Sequence, residues 1–220
     1  MSQGSVPASR ASSACLPAML GLLVLLGGCA SALFPQPAPP PMRFTLADDT
    51  RPADVQAPSA PSPAASGPTL IVSVPRAAAG FDTSKIVYLR RPLEIEYFAY
   101  SQWVETPPNM LAPLMVRAIE RTGAFHAVLR APTSATGQLR LDTELIRIQQ
   151  DFSARPSHVT LTLRAVLIDT ATREVVASRE FDANVQSPSD DPYGGVIAAQ
   201  RATGQVLAEL AAFCAALSAR

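Results

Sequence analysis

Val159-Thr160-Leu161-Thr162-Leu163-Arg164-Ala165-Val166-Leu167-Ile168 decides the fold class. In an extended chain Val159, Leu161, Leu163, Ala165 and Leu167 share one face, and Thr160, Thr162, Arg164, Val166 and Ile168 share the other. Period two over this length predicts a β-strand. The polar stretch Asp169-Thr170-Ala171-Thr172-Arg173 then turns the chain into a further alternating run, Glu174 to Val185, as a hairpin requires. Upstream, Leu139, Leu141, Thr143 and Leu145 share a face, but Ile146 and Ile148 follow in the opposite phase. A bulge or a change of packing partner near Leu145 is expected. The three runs predict an antiparallel meander.

Helical periodicity flanks this meander on both sides. Downstream, Asp191 offers a cap and Pro192 a first-turn proline, followed by an apolar stripe through Val196, Ala199, Thr203, Val206, Leu207, Leu210, Cys214 and Leu217. Upstream, Leu111, Leu114, Met115, Ala118 and Ile119 recur at intervals of three and four, with Gly123 as the stop. Pro113 removes a backbone donor in that helix, so a start nearer Met110 is expected. Shorter strands precede it. Thr69 to Val74 is β-branched and ends at Pro75; Ile86 to Leu89 and Leu93 to Phe98 follow the loop Arg76 to Ser84, with Arg90-Arg91-Pro92 turning between them. Phe125 to Arg130 is a further strand. The fold class is α/β: residues 69–220 form a single domain with a mixed, largely antiparallel β-sheet of roughly seven strands packed by two main α-helices, a normal single-core size.

The N-terminal third has a different character. Ala14 to Leu26 is apolar over the length of a secretory signal core and too short for a membrane anchor. It closes in Leu25-Leu26-Gly27-Gly28-Cys29, which resembles a bacterial lipobox. That resemblance implies cleavage before Cys29 and acylation of its thiol, making residues 1–28 a lipoprotein signal peptide. An ordinary secretory signal with an incidental cysteine or an uncleaved apolar anchor are the alternatives, and the basic region before the segment is thin, with Arg10 as its single formal positive charge beside the α-amino group. Residues 29–68 hold ten of the 21 prolines, padded with Ala and Ser, and read as a disordered tether. Fully extended, it reaches roughly 120 Å, and as a coil about 35 Å. The alternative at one point is that Arg43-Phe44-Thr45-Leu46 adds a strand to the domain.

Composition excludes several functions. Without residues 1–28 the chain carries 17 basic and 18 acidic side chains, counted from the 18 of each in the whole chain less Arg10. This near-neutral balance leaves no footprint for nucleic acid and no polybasic signal for anionic lipid. No H-E-x-x-H, C-x-x-C, G-x-S-x-G or phosphate-binding glycine loop is present. His126 and His158 lack neighbouring donors for a metal. Glu94 and Glu96, two apart on a strand, read as a solvated face. Cys214 sits in an apolar helical run and reads as a buried thiol. No catalytic residue, cofactor or metal site is expected. Tyr97, Phe98, Tyr100, Trp103 and Met110 are the candidate partner surface, because aromatic and methionine side chains are enriched at interface cores; core packing is their alternative role.

The order of features from residue 68 to 217 resembles the ABC-type transport auxiliary lipoprotein family. The resemblance rests on Val72-Ser73-Val74-Pro75, Gly80-Phe81-Asp82, Ile86-Val87-Tyr88, Leu93 to Tyr97, Trp103 followed by Pro107-Pro108 and Met110-Leu111, and the alanine-rich final helix. It implies a non-enzymatic component of a lipid transport system built around an MCE (mammalian cell entry) substrate-binding protein with an inner-membrane permease and ATPase. It also implies a periplasm-facing protein anchored in the outer membrane, since Ala30 follows Cys29 where an aspartate favours inner-membrane retention. Phospholipid contact and a homo-oligomeric ring are compatible with it. A scaffold lipoprotein contacting a secretion pore or cell-wall synthase is the alternative from another class, and a periplasmic hydrolase a third.

Overall fold

The structure, a computed structural model, describes residue 4, residues 39–47 and residues 67–218. Cys29, the rest of the expected signal segment and the remainder of the expected tether lie outside the described residues. Within them the chain forms a mixed sheet of nine strands with two helices, a single α/β domain. The strands are β1 Met42–Phe44, β2 Thr69–Val72, β3 Arg76–Ala77, β4 Lys85–Leu89, β5 Ile95–Trp103, β6 Ala127–Arg130, β7 Leu139–Asp151, β8 His158–Asp169 and β9 Val175–Gln186. The helices are α1 Pro107–Glu120 and α2 Pro192–Leu217.

β7 organises the sheet. One edge pairs along its length with antiparallel β8, which pairs in turn with antiparallel β9, giving the expected meander. Three parallel strands share the other edge end to end: Leu70 of β2 lies opposite Leu139, Arg76 of β3 opposite Glu144, and Val87 of β4 opposite Gln149. β6 extends the sheet beyond β2, β5 lies beyond β4, and β1 runs parallel to the end of β5. The ladder with β8 shifts register between Leu145 and Arg147. This bulge resolves the phase change in the sequence, because Leu139, Leu141, Thr143 and Leu145 before it and Ile148 and Gln150 after it are all buried.

α2 packs against β8 and β9 of the meander, and α1 packs against α2, β6 and β2. Leu161, Leu163, Leu167, Met115, Ile119 and Leu210 are fully or almost fully buried between the layers, and Phe181 of β9 meets Phe213 of α2 edge-on at 5.7 Å. The opposite face of the meander is polar. There Arg164 lies between Glu144 at 3.4 Å and Glu180 at 3.1 Å, and Arg147 donates to Thr162 and Asp182. Cross-strand pairs this exposed add little stability but mark the solvent side.

α2 begins where the sequence places it. The Asp191 carboxylate accepts from the Gly194 backbone N–H at 2.7 Å, and this bond holds its pKa below the usual carboxylate value. Gln150 docks under that first turn, donating to Ser157 Oγ and to the Asp191 carbonyl. Gly195 gives that side chain its room, since a Cβ there would collide with the Gln150 amide and force it to move.

Four expectations need correction. α1 starts at Pro107 with two prolines in its first turn, so Pro113 stands inside the helix and the Asn109 carbonyl loses its donor. The loop after Pro75 contains the short strand β3, which fills the gap on β7 between β2 and β4. Leu93 belongs to the turn, at φ +70°, and β5 starts at Ile95 and continues to Trp103. Met42–Phe44 is a strand and Leu46 is buried, so the tether expected over residues 29–68 is interrupted by a segment docked on the domain, close to the alternative reading of Arg43 to Leu46.

Replacing Asp191 by Ala removes the cap and is expected to cost about 1 kcal/mol at pH 7. The folded-state pKa is depressed, so the contribution is present above the unfolded value near 3.9 and lost as pH falls through the folded value. Urea unfolding of both proteins from pH 7 to 2 should show the gap closing below about pH 4.

Candidate docking surface

The five residues singled out for a partner surface separate into two groups. Trp103, 3 % exposed, is buried at the end of β5, and Met110 is buried in the first turns of α1, its sulfur 3.9 Å from the Thr45 hydroxyl. Both belong to the core, which corrects their assignment to a surface. Their place follows from the chain: a bulky side chain at the junction of the last strand residues and the first helix turns closes that corner of the sheet. Tyr97 and Tyr100 remain accessible, at 38 and 55 % exposure, and Phe98 is half-buried between them.

β5 arranges these rings on two sides. Phe98 stacks on Tyr88 of β4 with centroids 4.4 Å apart, and Phe152 meets both rings edge-on. The Tyr88 hydroxyl donates to Glu96 at 2.7 Å and accepts from Arg90 at 3.2 Å. The hydrogen bond to Glu96, with burial second, raises the Tyr88 pKa and keeps the phenol protonated. Tyr97 carries Lys85 over its ring at 5.1 Å. Glu94 and Glu96 are thus held by neighbours: Glu94 lies 3.7 Å from Arg91, and Glu96 is bound by Tyr88.

Sequence reasoning missed one feature of this surface. The turn between β4 and β5 presents Leu93 with its side chain fully exposed, followed by Ile95 at 44 %. Periodicity placed Leu93 inside a strand beside Ile95, and only the positive φ separates it. Leu93, Ile95 and Tyr97 leave apolar surface along the turn and the start of the strand, the pattern of a docking site more than of scattered exposure, while Tyr100 is exposed beyond the irregularity in the β4–β5 ladder.

Elsewhere the polar residues serve the fold. Among the described residues no cluster of three or more His, Cys, Asp or Glu side chains could hold a metal, and His158 lies 3.8 Å from Asp151. Cys214 is buried, and burial pushes its thiol up to about 12. A groove of about 210 Å³ runs between α1 and α2, lined by Leu114, Ala118, Leu207 and Ala211. Its wall includes Ala47, whose backbone N–H donates to Gln200 Oε1 at 2.8 Å and whose carbonyl accepts from the same side chain. Among the described residues no helix is long and apolar enough to cross a membrane.

Residues 50–211 match the family described as ABC-type transport auxiliary lipoprotein component. Among solved structures, protein XCC0632 from Xanthomonas campestris is 27 % identical, with a TM-score of 0.63 over 71 % of this chain and 90 % of that one. A second, uncharacterized protein shares the fold at 11 % identity and a TM-score of 0.60, over 80 % of this chain and 99 % of that one. No curated protein matches.

Two measurements separate core from surface. Trp103→Ala should lose about 3–5 kcal/mol in urea unfolding, while Tyr97→Ala and Tyr100→Ala should each lose less than about 1 kcal/mol. Cys214 should resist a thiol reagent at pH 8 in the folded protein and react fully in denaturant; equal rates would contradict its burial.

Proposed function

Because the chain belongs to the ABC-type transport auxiliary lipoprotein component family, we propose that it is a non-catalytic, lipid-anchored auxiliary subunit of an MCE-type system moving lipid across the bacterial envelope. The family match over residues 50–211 carries this reading. The lipobox-like sequence ending in Cys29 supports the anchor, and Ala30 after it supports the outer membrane, with the domain on the periplasmic side. More than one acyl chain on Cys29 would make the attachment stable, since each buried methylene contributes about 0.8 kcal/mol and one chain holds only marginally.

The chain's own contribution is docking. The folded domain supplies an accessible apolar surface along β5, at Leu93, Ile95, Tyr97 and Tyr100, which would meet the MCE protein or the permease and ATPase assembled with it. The half-buried Phe98 braces that strand against Tyr88 and Phe152 and so holds the surface rigid. Rigid aromatic anchors lose little conformational freedom on binding, which favours affinity from a small area.

Mass spectrometry of the mature N-terminus should show a lipid-modified Cys29 as its first residue. The tagged protein, solubilised from envelopes in detergent, should bring down an MCE protein. An unmodified Cys29, or an intact signal segment, would overturn the anchor; purified MCE protein that fails to associate would overturn the transport role.

A further inference from the structure

We propose that Met42, Phe44 and Tyr193, where the N-terminal segment meets the folded domain, form a membrane-facing patch that the lipid-anchored tether seats on the bilayer. The inference rests on the anchor at Cys29 proposed above. It adds a contact with the membrane separate from the surface along β5.

The segment that carries β1 is fixed to the domain by three kinds of contact. Its strand pairs with Ser101, Gln102 and Trp103 of β5. Leu46 is buried in the core. Gln200 of α2 holds both backbone groups of Ala47, accepting from its N–H at 2.8 Å and donating to its carbonyl. A pull on the N-terminal chain therefore reaches the domain at Met42.

Between Cys29 and Met42 lie only the twelve residues 30–41, five of them proline. Such a length spans about 37 Å as polyproline and about 20 Å as a coil. The docked β1 thus shortens the tether, and the end of the domain at Met42 is held near the bilayer at an effective concentration of about millimolar. A contact too weak to form from solution is then largely occupied.

The side chains at this end suit lipid. Met42 and Phe44, two apart, share one face of β1. The Phe44 ring lies 6.2 Å from that of Tyr193 in the first turn of α2. Met42 is 57 % exposed and Tyr193 61 %. Tyrosine has an apolar body and a polar tip, and such rings collect at the headgroup level of membranes. Arg43, exposed between Met42 and Phe44, brings a cation for lipid phosphate to the same margin. The carboxylates beside Tyr193 are engaged within the fold, Asp190 accepting the Ser157 N–H and Asp191 the Gly194 N–H.

The chain from Cys29 onward, which keeps the whole domain, is coupled through the Cys29 thiol to a maleimide lipid in phosphatidylcholine vesicles. Burial pushes the Cys214 thiol up to about 12, so Cys29 is the thiol that reacts. Coupling supplies the anchor chemically; a negative result counts against the patch alone, while mass spectrometry of the mature N-terminus decides the anchor. Tyr193→Trp places one reporter in the patch. Ala171→Trp places another in the β8–β9 turn, about 40 Å along β8 from the end that Ser157 ties to Asp190. With vesicles brominated high in the acyl chains, the Tyr193→Trp reporter should lose most of the emission it adds to that of Trp103, and the Ala171→Trp reporter none. Adding Met42→Glu, at an exposed site, should restore the emission, and uncoupled protein should stay unquenched. No quenching of the Tyr193→Trp reporter, equal quenching of both reporters, or equal quenching of uncoupled protein would each overturn the proposal. So would a Tyr193→Trp emission that responds to added MCE protein and not to lipid, the mark of a protein partner on the patch.

Discussion

Everything in this domain depends on β7 serving two kinds of neighbour at once. Its one edge carries the continuous antiparallel ladder to β8, while its other edge is divided among β2, β3 and β4, each parallel and each only a few residues long. A regular strand of this length would twist its second half away from the helices and turn the wrong side chains inward. The bulge between Leu145 and Arg147 resets the phase, so that Leu145 and Ile148 both face the core. The helices can then pack on one continuous apolar layer.

That arrangement positions the proposed docking surface. Because β4 joins β7 near its end, at Gln149 to Asp151, β5 is carried out to the margin of the sheet, beyond the reach of the meander. Trp103 and Met110 close the corner where β5 leads into α1, and β1 clips the same end of the strand. The other end of β5 is braced through Tyr88, Phe98 and Phe152, and among the described residues nothing pairs with its outer edge.

Much of this was legible in the sequence, for physical reasons that differ by element. The meander was readable because period-two alternation over ten or more residues has one structural meaning, and the phase break at Ile146 announced the bulge. The cap at Asp191 was readable from a local hydrogen-bonding rule. The parallel pairings were not, because β2, β3 and β4 are too short to carry a period and their partner lies more than fifty residues away in the chain. For the same reason periodicity alone could not divide Tyr97 and Tyr100 from Trp103 and Met110. Aromatic residues suit cores and interfaces equally, and only the position of β5 at the margin sorts them. Leu93 was misread because a positive φ in a non-glycine residue leaves no mark in the pattern.

The central claim is that β5 presents the working surface and the rest of the domain holds it in place. Titration calorimetry of the purified protein against the periplasmic part of the proposed MCE partner tests this most directly when wild type is compared with a Tyr97→Ala, Tyr100→Ala double variant. The account predicts an affinity loss of about tenfold or more with the unfolding midpoint nearly unchanged. Equal affinity in a folded variant would contradict it.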